Sequence, residues 1–286
     1  MSGILYLVAT PIGNLKDISE RALETLRAVD IIGAEDTRNS IHLLTHFGIN
    51  TPMTSYHEYN KYDKAETLVN KLKEGKNIAL ITDAGTPGIS DPGEVLVKMC
   101  HENDITVTSL PGPCALINAL IISGLPTRRF CFEAFLPSDK DKKEKKERRR
   151  ILEELRNETR TIILYESPHH LKKTLSELLE NLGDRRLTIC KELTKRFEKV
   201  YPTTLMQAVE LFENEEPRGE YVLVLEGKNI ADIENEKKLS FEDMSIEEHM
   251  SMYEEKGIEK KEAMKLVAKD RGITKREVYD YLIKKC

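Results

Sequence analysis

Five short apolar runs, separated by longer polar and amphipathic stretches, fill the first 125 residues, and that alternation is what most limits how this chain can fold. The runs are Ile4–Ala9, Ile31–Ala34, Met53–Tyr56, Ile78–Thr82 and Ile105–Leu110. Each has the length and the Ile, Leu and Val content of a buried strand. Between them, Ser19–Val29 places Ala22, Leu23, Leu26 and Val29 on one helical face, and Lys61–Lys73 does the same with Ala65, Leu68, Val69 and Leu72. Strands that alternate with helices pair in parallel, and such a sheet is covered on both faces. Residues 1–125 therefore predict an α/β domain built on a parallel five-stranded sheet.

A second set of elements follows the Gly124-Leu125-Pro126 break. Strands are expected at Phe130–Phe135, Thr161–Tyr165, Leu187–Cys190, Lys199–Thr203 and Tyr221–Leu225, with helices at Arg148–Arg156, Pro168–Asn181 and Thr204–Glu213. No helix-length gap precedes Lys199–Thr203, so an antiparallel pair and a mixed sheet are expected over residues 126–231. Asp232–Glu236 reads as a linker. Beyond it, residues 237–286 read as a small helical module with helices at Ser245–Tyr253, Lys260–Arg271 and Thr274–Lys284. Capping boxes are expected at Ser245 and Thr274, and Gly272 suits the turn of a helix-turn-helix.

The net charge of −5 argues mildly against a nucleic-acid partner, but its distribution does not. Residues 139–150 carry eight basic and four acidic side chains, and residues 256–286 carry ten and five. Residues 232–255 between them carry nine acidic and two basic. Patches rather than totals decide phosphate binding, although one charged run alone is more often a solvated helix face. The five cysteines (Cys100, Cys114, Cys131, Cys190 and Cys286) are scattered, with no Cys-x-x-Cys and no Cys/His cluster. They predict small buried side chains in a reducing cytoplasm, and no metal site. No apolar stretch has membrane-spanning length and the amino terminus lacks a basic leader, so a cytoplasmic protein with no membrane partner is expected.

Ligands of open α/β sheets bind beyond the carboxyl ends of the strands. Three loops there combine Gly with Pro: Thr10-Pro-Ile-Gly-Asn-Leu, Asp83 to Gly93, and Pro111-Gly-Pro-Cys-Ala. One such loop is ordinary; three at one edge favour a ligand site. None has dinucleotide or P-loop spacing, and none carries the Lys or Arg a polyphosphate needs. A weakly charged, backbone-lined pocket for an adenosine-containing sulfonium is the expectation.

VATPIGNL, EDTR at 35–38, LITDAGTPGISDPG at 80–93, SLPGPCA at 109–115, YESPHHL at 165–171, KELTKRFE at 191–198 and RGEYVLVLEG at 218–227 together resemble one family across essentially the whole chain. It is the small-subunit ribosomal RNA 2′-O-methyltransferase I family, of the tetrapyrrole-methylase fold. The resemblance implies S-adenosyl-L-methionine as cofactor, a cytidine ribose of 16S rRNA as target (cytidine 1402 in the family), the small ribosomal subunit as partner, and a homodimer. It places Pro11 and Gly13 in the first cofactor loop, and Asp83, Gly85, Thr86 and Pro87 at the fold's Gly-Asp-Pro motif, with Thr86 for Asp. Pro111 and Gly112 match its Pro-Gly turn, and Tyr165 and Glu166 face the cleft. Two positions depart from the family pattern: Tyr59 stands for a histidine and His170 for an arginine.

Methyl transfer to a hydroxyl needs positioning and a group to take the proton. Glu35 or Asp36, at the end of the second strand, is the candidate base or orienter, with Arg38 a phosphate or carboxylate partner. Capping of the following helix is an equal reading of Asp36. Lys191, with Glu192 and Lys195, is a second catalytic candidate, against a structural ion-pair reading. His57 and His169 read more readily as scaffold than as acid–base groups. A tetrapyrrole methyltransferase of the same fold and a non-catalytic RNA-binding assembly factor are the rival functions.

Overall fold

Residues 2–241 and 244–284 are described by a computed structural model. The first sheet contains β1 (Ile4–Val8), β2 (Ile31–Ala34), β3 (Met53–Ser55), β4 (Ile78–Ile81) and β5 (Thr106–Leu110). Their order is β3-β2-β4-β1-β5, and every pairing is parallel. All four residues of β4 are buried, as a central strand covered on both faces requires. Helices α1 (Glu20–Ala28) and α2 (Thr37–His46) cover one face through Ala22, Leu26 and Leu44. Helices α3 (Lys61–Lys73) and α4 (Gly93–Glu102) cover the other through Ala65, Leu68, Leu72, Leu96 and Cys100. Each fully buried Leu contributes about 1.5–3 kcal/mol, so these two layers hold the sheet. Ser19 caps α1 by accepting from the Ala22 amide.

The second sheet is mixed. It contains β6 (Phe130–Phe135), β7 (Thr161–Glu166), β8 (Arg186–Lys191), β9 (Lys199–Thr204) and β10 (Tyr221–Leu225), in the order β6-β7-β10-β8-β9. β6 and β7 are parallel; β10 is antiparallel to both of its neighbours, and β8 to β9. One face packs on α5 (Ala115–Ile122), whose Leu116, Ala119 and Leu120 meet Ile163, Cys190, Val222 and Val224. The remaining helices of this region are α6 (Lys142–Leu155), α7 (Leu171–Leu182) and α8 (Leu205–Asn214). α6 begins six residues before the expected Arg148, because Asp141 accepts from the Lys143 and Glu144 amides and starts the helix in the middle of the charged run. Both sheets fall in one unit, residues 1–152 with 161–226. Cys100 and Cys190 are buried, Cys114 and Cys131 half-buried, and Cys286 lies outside the described residues.

A second unit joins residues 153–160 to 227–286. The expected linker at Asp232–Glu236 is instead part of α9 (Ile230–Leu239), capped by Asn229. α9 buries no side chain, so its sequence shows no apolar stripe. α10 (Ile246–Glu254), α11 (Lys260–Arg271) and α12 (Lys275–Lys284) share a core of Ile246, Met250, Ala263, Val267, Ala268 and Val278. Both capping boxes form: Ser245 with Glu248, and Thr274 with Glu277. Gly272 ends α11 at φ +65°, the left-handed C-terminal cap that glycine adopts without strain. His249 is fully buried here, stacked on Phe241 at 3.9 Å, and its Nε2 lies 3.5 Å from Asp270.

Candidate active site

The three Gly-Pro loops are laced together. Thr10 and Gly85 exchange backbone hydrogen bonds of 2.9 and 3.1 Å, joining the first loop to the second. The Thr86 hydroxyl donates to the Pro113 carbonyl at 2.9 Å, joining the second to the third. Gly112 closes the triangle: a Cβ there would lie 2.6 Å from the Ala9 Cβ, so only glycine permits the approach. Gly13 makes a similar allowance for the turn after β8, since its Cβ would lie 2.4 Å from Lys195 Cγ. Within the second loop, Asp91 accepts from the amides of Gly88, Ile89 and Gly93 at 2.7–3.0 Å. Burial pushes the Asp91 carboxyl up, and those amides oppose the rise.

These loops and the end of the second sheet enclose a cavity of about 480 Å³. Its size is that of a pocket for a small ligand or cofactor. Glu35, Asp83, Asp91, Glu166 and Glu220 line it, and among the described residues no Lys or Arg does. The expectation of a weakly charged pocket is thus corrected: the lining is acidic. Asp91 and Glu220, which supply part of that charge, come from loops whose facing is set by tertiary structure. Glu35 is half-buried, and its carboxyl is raised above the ordinary range by burial and then by the neighbouring charges of Asp83 and Asp91. Glu166 is only 5% exposed. Its carboxylate accepts from the Ser167 amide and the Thr174 hydroxyl, and Arg148 donates to that hydroxyl at 2.8 Å. The Tyr165 hydroxyl accepts from the Leu116 amide at 3.1 Å, and burial pushes its pKa up to about 12. Ser167 lines the cavity, and its hydroxyl is buried with no hydrogen-bond partner.

Of the residues singled out from sequence, Glu35, Asp83, Gly85, Thr86, Tyr165 and Glu166 line this cavity. Pro11, Gly13, Pro111 and Gly112 do not; the two glycines act one layer behind it, through the close approaches described above. Pro87 faces a separate depression with Leu7, Gly88 and Val97. Asp36 is the N-cap of α2, accepting from the Arg38 amide at 2.8 Å. It also pairs with the Arg38 guanidinium at 2.6 Å, which holds its carboxyl at about 2. Asp83 accepts from the Asp36 amide and from Asn39, both at 3.1 Å, and so orients this corner. Lys191 stands over the Tyr221 ring at 5.8 Å, outside the lining. Glu192 and Lys195 pair at 2.9 Å, as the structural reading required.

Ser90 and Cys114 line the cavity from within the loops read as a ligand site, whereas sequence reasoning missed Phe135, Ser167, Leu193, Glu220 and Tyr221 as lining residues. Backbone strain marks several of them. Among the described residues, five non-glycine residues have positive φ: Ser90, Asp104, Ala134, Glu192 and Thr194. Ser90 lines the cavity, and the last three flank the lining residues Phe135 and Leu193. Such conformations cost on the order of 1–3 kcal/mol each and persist where the surrounding structure holds them, most often at functional sites. Among the described residues, no group of three or more His, Cys, Asp or Glu is arranged to hold a metal ion.

Residues 4–209 match the family described as Tetrapyrrole (Corrin/Porphyrin) Methylases. Solved structures of that fold align with this one. A crystal structure of diphthine synthase gives a TM-score of 0.59 at 16% identity, over 79% of this chain and 91% of its own. Uroporphyrin-III C-methyl transferase from Thermus thermophilus, complexed with S-adenyl homocysteine, gives 0.52 at 16% identity, over 78% and 92%. The fold class is therefore that of the tetrapyrrole methylases. Within it, Ribosomal RNA small subunit methyltransferase I of Halalkalibacterium halodurans is 47% identical over 97% of this chain and 94% of the relative. The Synechocystis protein of the same name is 46% identical over 97% and 96%. This chain belongs to the ribosomal RNA small subunit methyltransferase I family.

Proposed function

We propose that this chain is an S-adenosylmethionine-dependent methyltransferase that modifies 16S rRNA of the small ribosomal subunit, at the ribose 2′-hydroxyl of a cytidine. The observation that carries the cofactor is the lining itself. Five carboxylates and, among the described residues, no cation suit a ligand bearing positive charge and exclude a polyphosphate on electrostatic grounds. The Gly85-Thr86 turn, which lines the cavity, supplies polar backbone for the rest of such a molecule. When bound, S-adenosylmethionine supplies an electrophilic methyl group on a sulfonium.

Glu166, fixed by Thr174 and Arg148, presents negative charge toward the ligand. Tyr165, pinned through its hydroxyl, forms an apolar wall. Glu35 is the lining carboxylate best suited to take the ribose proton, because its raised pKa makes it a stronger base than an ordinary carboxylate. Asp36, held at about 2 by Arg38, is a poor base and caps α2, while its backbone amide donates to Asp83. Cations of the segments 140–150 and 256–285 other than the buried Arg148 contact the RNA backbone, and the active species is a cytoplasmic homodimer.

Calorimetry with S-adenosylmethionine and S-adenosylhomocysteine, followed by mapping of ribose methylation in small-subunit RNA, is the test. Expected are near-stoichiometric cofactor binding and a single new 2′-O-methyl group. No heat with either molecule would sink the enzyme reading. Glu35→Gln should lower kcat about 10²–10⁴-fold and remove the acid limb of the rate profile. In the wild type that limb lies above the ordinary carboxylate range, with activity lost as pH falls through the raised Glu35 pKa. Sedimentation at working concentration reads the dimer.

A further inference from the structure

Phe135 is the outlying apolar group of the cavity. Ile12, Leu193, Tyr221 and Val222 line the cavity and are buried, whereas Phe135 is 54% exposed at its rim. An irregularity in the sheet puts it there. On β6, Phe132 pairs with Ile163 and Phe135 with Tyr165, so three steps along β6 match two along β7. The extra residue breaks the two-residue alternation and brings Phe135 to the side that Phe132 already occupies. Ala134 takes the strain, at φ +52°, a conformation that β-carbon-bearing residues rarely adopt. The result is a row of rings: Phe132 lies 4.9 Å and Phe135 5.6 Å from Tyr165. The row is anchored where Tyr165 accepts from the Leu116 amide, and its outer member is left open to solvent.

A phenyl ring offers no hydrogen bond and no charge. At the rim of an acidic cavity it selects for one kind of contact, the face of another planar group. We infer that Phe135 is the platform on which the base of the target nucleotide stacks. The inference rests on the proposed ribose methylation of RNA. A ribose hydroxyl enters an enclosed cavity only when its nucleotide is splayed out of the RNA stack, and proteins hold splayed bases on aromatic side chains. Phe135 thus contributes orientation and substrate affinity while Glu35 and the other lining carboxylates serve the chemistry. It belongs to the acceptor and not to the cofactor, because the Gly85 turn and the Glu166 carboxylate suited to the cofactor are buried, whereas this ring is open to solvent.

The chain has no tryptophan, so Phe135→Trp installs a single fluorescent reporter. Its emission should be quenched by protein-free small-subunit rRNA and left unchanged by S-adenosylhomocysteine. In methyl transfer to small subunits, Phe135→Ala should lower kcat/KM roughly tenfold to a hundredfold, the loss expected for one base stack. Phe135→Tyr and Phe135→Trp should stay within about threefold of wild type, and calorimetric affinity of Phe135→Ala for S-adenosylhomocysteine within about twofold. A thermal melt checks that the alanine variant is folded. Wild-type kcat/KM in that variant would overturn the proposal. So would quenching of the tryptophan by S-adenosylhomocysteine alone, which would assign the ring to the cofactor. Failure of the wild-type chain to methylate small-subunit RNA overturns the methylation reading instead. The quenching experiment does not depend on turnover, and absence of quenching by RNA overturns the stacking role in either case.

Discussion

The two basic segments look alike in sequence and are used differently. In the first, Arg148 is 5% exposed and turned inward. It donates to Glu177 at 2.7 Å, to the Pro137 carbonyl at 3.0 Å and to Thr174, which in turn holds Glu166 at the cavity. Its reading as a phosphate contact is therefore corrected: it is an internal brace, and its neighbours Arg149 and Arg150 face solvent. In the C-terminal helices the buried polar centre is an acid, Asp270, which accepts from Lys237 and Tyr253, while Lys261 and Lys269 are exposed on α11. A run of charge thus says how many cations a helix carries, and packing decides which of them a ligand can reach.

The largest effect should come from Arg148→Ala. Its loss leaves the Thr174 hydroxyl and the Pro137 carbonyl without their donor and Glu177 with Lys173 alone at 3.8 Å, which should cost about 1–3 kcal/mol. A thermal or denaturant melt should show that loss, and calorimetry should show weaker cofactor binding as Glu166 loses its support. The exposed Arg149→Ala should stay within about 0.5 kcal/mol of wild type. Equal losses for the two would erase the distinction drawn here.

On the other side of the comparison, Lys261→Gln combined with Lys269→Gln should leave stability nearly unchanged. The slope of log affinity for small-subunit RNA against log salt should drop by roughly 0.7–0.9 per residue. An unchanged slope would remove α11 from the RNA interface. Smaller still, Ser245→Ala should cost about 1 kcal/mol in the C-terminal unit by breaking its capping box.

Acid sharpens the contrast. Burial, followed by the nearby Arg271, lowers the pKa of His249, with Asp270 opposing and Lys237 adding to the depression. A base whose pKa is depressed on folding contributes stability fully present above its unfolded value of about 6.5, and lost as pH falls from there toward the folded value. The C-terminal unit should therefore melt earlier below pH ~6.5, and His249→Gln should flatten that dependence, read by circular dichroism across pH.

Much of the fold was legible because its strands are apolar. β4 and β10 are buried at every position and read as strands from composition alone. α9 was not legible, because a helix that buries nothing has no periodic stripe. At the cavity, the loops from the first sheet stood out through their Gly-Pro chemistry. Phe135 did not, since strict alternation along β6 assigns it to the opposite face until the bulge reverses it. Glu220 and Tyr221 also escaped notice: their role depends on which strands flank β10, and no local pattern records strand order.

That strand order bears on how the protein is made. β10 is the last of the described strands in chain order, yet it lies at the centre of its sheet, between β7 and β8. Until residues 221–225 emerge, β7 and β8 expose unpaired edges, and the cavity lacks Tyr221 and Val222. A nascent chain stalled before that point has no complete site and gains no stabilisation from the ligand, since mass action rewards only the state that binds. Completion of this sheet therefore waits on a long-range pairing, the kind of contact that slows folding and leaves partly made sheets with aggregation-prone edges.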